Sequence, residues 1–155
     1  MAKMVDIGRK PDVRRRAVAT GLIHLKPSTI RAIRARHVEK GDPLPTAEVA
    51  ALQAMKAVWQ VLPHTHPIPI TAASVTFTVH SNRVAVTTSV EATYKTGVEM
   101  EALYGVAVAL LTIWDMVKAL EKDRTGQYPT TAIDAVRVVS KKKGTRTVRR
   151  SAYRR

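Results

Sequence analysis

From Leu103 to Ile113 the chain is apolar except at Tyr104, Gly105 and Thr112, and both ends of this run are charged. No other stretch constrains the fold as strongly. It contains no proline and reads as one helix from about Val98 to Glu121, apolar enough to lie in a core. Glu99 and Glu101 stand in its first turn, after Thr96-Gly97-Val98. Asp115 and Lys118 stand near its far end, three residues apart and so on one face. A core helix with acids at one end and an acid–amine pair at the other borders something that uses titratable groups.

The remaining pattern decides what that helix packs on. Val18 to Leu25 reads as a strand with a glycine irregularity at Gly21, ended by Pro27. Ser28 offers an N-cap for a short helix through Arg36, with Ile30 and Ile33 inward and Arg31, Arg34 and Arg36 outward. Lys40-Gly41-Asp42-Pro43 is a turn by composition. A second helix runs from Thr46, a plausible cap, through Leu62. Pro63, Pro67 and Pro69 make the next segment stiff and extended. Val75, Phe77 and Val79 then alternate with Ser74, Thr76 and Thr78, Ser81-Asn82 turns the chain, and Arg83 to Tyr94 alternates again, which predicts an antiparallel hairpin. Ile133 to Ser140 reads as a last strand. With the two early helices counted as one connection the order is βαββαβ. The expected fold is therefore α+β and ferredoxin-like, an antiparallel sheet with helices on one face. The other sheet face is left uncovered in a monomer, which predicts an oligomer.

The chain of 155 residues allows one domain with an ordinary core. It has no cysteine, which excludes disulfides and thiolate metal sites and makes the cytoplasm the expected address. The start, Met1-Ala2-Lys3-Met4-Val5-Asp6, has no signal-type segment, and the run Val106 to Ile113 is too short to span a bilayer, so no membrane is expected. The net charge of +14 is uneven. Residues 141–155 hold eight Lys and Arg and no acid, and residues 1–16 hold six against Asp6 and Asp12. The expected organisation is a basic arm (1–16), one catalytic domain (17–140) and a flexible basic tail (141–155). Such ends suit nucleic acid or polyphosphate, or serve only for solubility. Tyr153, the one aromatic of the tail, is no stacking platform by itself.

Several segments together resemble one family. They are Met4-Val5-Asp6, Lys40-Gly41-Asp42, Leu52-Gln53-Ala54 with Lys56 and Trp59, and Thr65-His66-Pro67. Lys95-Thr96-Gly97-Val98-Glu99-Met100-Glu101-Ala102 follows, then Leu111-Thr112-Ile113-Trp114-Asp115-Met116 with Lys118-Ala119, and a basic region at Lys141. In this order they resemble the cyclic pyranopterin monophosphate synthases, also called molybdenum cofactor biosynthesis protein C. The string around Gly97 to Ala102 is the specific part. The resemblance implies a lyase that converts a 3′,8-cyclised dihydroguanosine triphosphate to cyclic pyranopterin monophosphate and pyrophosphate. It places Asp115 at the catalytic aspartate, Lys118 at its neighbouring lysine and Lys40 at a further essential lysine. His66, Glu99, Met100 and Glu101 fall at substrate-pocket positions. It also implies a hexamer built as a trimer of dimers. Thr65 and Val117 depart from the pattern, which often has cysteine there; neither position needs to move a proton.

The residues themselves add to this. Such a reaction moves several protons and needs titratable groups on rigid supports. Asp115 beside Lys118 raises the ammonium pKa while burial would lower it, so spacing alone leaves the sign open; it equally allows a surface ion pair worth a few tenths of a kcal/mol. Lys40, Lys56, His66, Arg15 and Lys141 are candidate cations for the triphosphate. His64 and His66 fall on one face of an extended segment, but no third ligand is near. His64 and Thr65 read as pocket lining, and no protein-bound metal or cofactor is expected beyond a Mg²⁺ ion that the triphosphate could carry. Glu101 and Asp115 lie fourteen residues apart, about 21 Å along a straight helix. One nucleotide pocket cannot easily touch both, so the expected site lies between subunits. The rival reading is a nucleic-acid-binding ferredoxin-like domain, which would place aromatics on the sheet; the strands offer only Phe77 and Tyr94, so nucleic acid is the weaker expectation.

Overall fold

The computed structural model describes residues 2–144. Its elements are β1 (Val13–His24), α1 (Pro27–Arg34), α2 (Pro43–Lys56), α3 (Val58–Val61), β2 (Ile70–Val79), β3 (Arg83–Tyr94), α4 (Glu99–Glu121) and β4 (Ala132–Lys143). The strands form one antiparallel sheet in the order β2-β3-β1-β4. This is the ferredoxin-like arrangement, with α1 to α3 filling the first crossover and α4 the second.

Alternation builds the sheet. Val84, Val86, Val90 and Ala92 of β3 are fully buried, while Ala85, Thr87 and Ser89 between them are only half-buried. Thr88 takes its turn on the buried side because its hydroxyl donates to the Ala102 carbonyl of α4 at 2.8 Å. On β1, Ala17, Ala19 and Ile23 face the same way. Phe77 of β2 packs against this core, so it is unavailable to any ligand on the open face. Tyr94 shares the parity of Ala92 and therefore the same side. The open face carries small polar groups instead: Thr20 donates to the Val86 carbonyl at 2.8 Å, and the Arg16 guanidinium to Ser89 at 3.1 Å.

The α4 helix lies along that core through Ala102, Val106, Ala109, Leu110, Ile113 and Val117, spaced three and four apart. By length and composition alone it could cross a bilayer. Here it is packed on the sheet, with Glu101 and Glu121 buried at its ends. Gly21 permits the close approach. A Cβ there would lie 2.7 Å from Val106 and 2.9 Å from Leu110. The β1–β4 register shifts between Thr20 and Leu22, and Ala135 opposite takes a φ of 53°. The glycine irregularity is thus a bulge that seats the helix. Met55 of α2 packs over Gly105 in the same way.

Several boundaries differ from expectation. β1 begins at Val13 rather than Val18, because Arg14 and Arg16 occupy the open face and conceal the alternation. The basic arm is therefore shorter, and Ile7 within it is buried. Ser28 is not a cap: α1 starts at Pro27, whose missing N–H and fixed φ suit a first helical position. Likewise α2 starts at Pro43, with Asp42 rather than Thr46 as its cap, accepting from Leu44 N at 3.2 Å. Ala57 breaks that helix, and α3 is a separate turn. β4 runs on through Lys143, so Lys141 to Lys143 are strand. The rest of the expected tail, 145–155, lies outside the described residues.

Candidate functional site

Two groups of chemistry-bearing side chains form, one at each end of α4. At the C-terminal end, Asp115 accepts from Lys40 Nζ on Oδ2 at 2.8 Å and from Lys118 Nζ on Oδ1 at 2.9 Å. The Lys40 ammonium also donates to the Asp115 carbonyl at 3.2 Å. Lys118 arrives by helix geometry, one turn on. Lys40 arrives from the loop between α1 and α2, where Gly41 adopts a φ of 98°. Two ammonium groups on one carboxylate decide its state. Hydrogen bonds from Lys40 and then Lys118 push the Asp115 carboxyl down to about 2. Asp115 in turn raises the Lys118 ammonium above its usual range. Of the two directions spacing left open, the exposed position favours the upward one, because Asp115 is close and burial adds little. Leu111, 60% exposed, and Trp114 form an apolar wall beside the cluster, and the Trp114 ring meets Tyr128 edge-on at 5.3 Å.

At the N-terminal end an open cavity of about 450 Å³ is lined by His64, Thr65, His66, Glu99, Met100 and Glu101, with Ile68, Thr96, Gly97 and Val138. The stiff proline segment supplies the histidines and the first turn of α4 the carboxylates. Glu99 folds back over Gly97, where a Cβ would collide with its carboxylate at 2.0 Å. The Glu99 carboxylate pairs with Lys141 of β4. Although burial opposes ionisation, Lys141 and then Arg15 keep its pKa below the usual value. Glu101 is different. It is 3% exposed, and one carboxylate oxygen has no hydrogen-bond partner among the described residues. Burial pushes it up to about 7, with the Glu99 charge adding to the effect. Arg15 lies beside this group, its Nη2 reaching the Lys95 carbonyl at 3.5 Å and its buried Nε without a partner among the described residues. One cleft thus holds a neutral-leaning acid beside a firmly ionised one, an arrangement that can give and accept protons near neutral pH.

Of the residues singled out in the sequence, Lys40, Asp115 and Lys118 meet in one cluster, and His64, Thr65, His66, Glu99, Met100, Glu101, Lys141 and Arg15 gather around the other cavity. Lys56 joins neither; it is exposed at the end of α2. The two groups stay about 21 Å apart along α4 and share no lining residue. Among the described residues no group of three or more His, Asp or Glu is placed to hold a metal ion. Sequence reasoning missed the Gly97 seat under Glu99, whose signal is a glycine two residues before the acid. It also missed Val138, a wall supplied by the alternation of β4.

Residues 4–144 match the MoaC family. The chain belongs to the MoaC family. It is 55% identical over 139 residues to a Pyrococcus furiosus protein named probable cyclic pyranopterin monophosphate synthase, covering 90% of this chain and 89% of that one. It is 56% identical over 143 residues to a Methanoregula boonei protein of the same name, covering 92% of both. A Methanothermobacter thermautotrophicus relative, 52% identical over 141 residues (91% of this chain and 89% of the relative), is named probable cyclic pyranopterin monophosphate synthase accessory protein. The Pyrococcus furiosus and Methanoregula boonei relatives are thus named as enzymes, and the family places the chain in molybdenum cofactor biosynthesis. Both groups described above lie inside the matched residues.

Proposed function

We propose that this protein is a cyclic pyranopterin monophosphate synthase, a lyase acting on 3′,8-cyclo-7,8-dihydroguanosine 5′-triphosphate with release of pyrophosphate. The observation that carries the reading is the Lys40–Asp115–Lys118 cluster. One carboxylate held ionised between two ammonium groups fixes both amines in space, and either can donate a proton or neutralise a phosphate. The opposite cavity supplies what the triphosphate and the ring also need: cations at Arg15 and Lys141, imidazoles at His64 and His66, and a carboxyl at Glu101 that holds its proton near neutrality. A Mg²⁺ ion, if the reaction uses one, would enter with the triphosphate.

The two groups act on one substrate only if two protomers place them together. We infer a site shared between subunits, with Lys40, Asp115 and Lys118 from one and the Glu99–Glu101 cavity from the other. The 21 Å separation along α4 and the uncovered sheet face support this.

The direct test supplies the cyclised nucleotide and looks for a pterin bearing a cyclic phosphate together with free pyrophosphate. The Asp115→Asn protein is expected to lose about 10²-fold or more in kcat, because the amide no longer anchors both amines. Formation of a different product, or none from folded protein, overturns the reading.

A further inference from the structure

The last residue of α4 is a fully buried glutamate. Glu121 faces into the protein, and each of its oxygens ties down a different segment. Oε1 accepts from the backbone N–H of Lys26, the N-cap of α1, at 3.0 Å and from the hydroxyl of Thr29 in its first turn. Oε2 accepts from the Thr131 hydroxyl, one residue before β4. All these donors lie outside α4. The Lys26 ammonium is turned away, bonded to the carbonyls of Leu120 and Lys122.

The two tethered segments are the two flanks of the Asp115 cluster. The α1 helix leads into the loop that carries Lys40, through backbone bonds from Ala35 to Arg31 and from His37 to Ala32. On the other side, residues 122–131 carry Tyr128, whose ring meets that of Trp114, the neighbour of Asp115, edge-on at 5.3 Å. Ile30, Ile33 and Val38 also anchor the α1 side in the core, and the tethers add a polar tie at the start of α1 and just before β4. A buried carboxylate is costly to keep unless its oxygens are satisfied, and here three donors satisfy it.

We infer that Glu121 is a positioning residue for the Lys40–Asp115–Lys118 cluster, its two oxygens separately fixing the Lys40 loop and the Tyr128 loop against α4. The claim rests on the proposed function for its kinetic part only. The groups facing Asp115 are Lys40 from the loop and Lys118 from its own helix, with the Trp114–Tyr128 pair alongside.

The test titrates the Asp115 carboxyl by ¹³C NMR and follows Trp114 emission in a Trp59→Phe background, alongside kcat and KM. Glu121→Ala should raise the Asp115 midpoint and alter Trp114 emission together, and lower kcat about tenfold with KM little changed. Glu121→Gln keeps an acceptor for α1 and should restore most of the loss. Thr29→Val should move the Asp115 midpoint without the emission change, and Thr131→Val the reverse; these serve if Glu121→Ala does not fold. Val90→Ala, a core change on β3 opposite Ala17 and Ala73, should destabilise the protein and move neither signal. A folded Glu121→Ala or Thr29→Val protein with the wild-type Asp115 midpoint overturns the inference. So does a Val90→Ala protein that reproduces the shifts. Wild-type protein that fails to turn over the cyclised nucleotide sinks the functional reading instead, and the NMR and emission arms still decide the role of Glu121.

Discussion

At the scale of single residues, environment separates side chains that look alike in sequence. Glu99 and Glu101 are two positions apart, and either could have been explained by the helix dipole. Glu99 finds Lys141 and stays ionised; Glu101, buried with one oxygen unpartnered among the described residues, holds its proton. This gives a pH prediction with a definite sign. An unfolded glutamate ionises near 4.5, whereas Glu101 in the folded protein does so at about 7. Between those values the folded state binds the extra proton, so its contribution to stability is present in acid and is lost as pH rises through that window. The melting temperature of the wild type relative to Glu101→Gln should fall from about pH 5 to pH 8; a flat difference would show that Glu101 ionises normally. Asp115 behaves oppositely. Its pKa is depressed to about 2, so its pairing is intact above the ordinary carboxylate range and is lost only as pH falls toward 2. Its geometry was only half visible in the sequence. Asp115 and Lys118 at a three-residue spacing are legible on any helix, whereas Lys40 is 75 residues away and reaches Asp115 only through the fold.

At the scale of elements, the seat of α4 on the sheet governs how both ends of that helix are presented. Gly21 lies beneath its middle, where Val106 and Leu110 leave no room for a side chain. Gly21→Val should lift the helix and destabilise the protein by about 1–3 kcal/mol, read as a lower denaturant midpoint. It should also weaken the hydrogen bond from Thr88 to Ala102, visible as a faster-exchanging Thr88 hydroxyl. An unchanged midpoint would mean that the helix is seated elsewhere. The element types were readable because helical and two-residue periodicities are local properties of the chain. The caps were not. Ser28 and Thr46 have the chemistry of a cap, but Pro27 and Pro43 lie upstream and pre-set the helical φ, so the helices begin earlier. The arginine run at the start of β1 hid a strand because an exposed face tolerates charge.

At the scale of the whole molecule, the chain presents two separate groups of titratable side chains and a sheet face that includes threonine and serine. The shared-site proposal makes a sharp prediction. Asp115→Ala and Glu101→Ala proteins, each inactive by itself, should regain a measurable fraction of activity when mixed under conditions that exchange subunits. Confirmed hybrids without recovery would place both groups at independent sites. Mass measurement in solution gives the subunit number directly. The strand aromatics bear on the rival reading at this scale. Phe77 packs against the core and Tyr94 shares the side of Ala92, so among the described residues neither strand aromatic lies on the open face.

Sequence alone determined the order and kind of the elements, hence the split βαββαβ topology, and it carried the specific residue string that marks the family. Those follow from short-range pattern and identity, which a linear chain displays. The tertiary structure alone decided which charges meet. It brought Lys40 to Asp115, gave Glu99 a partner and buried Glu101, left Lys56 outside both groups, and buried Glu121 between two loops. Each of those outcomes depends on distance and desolvation in three dimensions, which spacing along a chain does not encode.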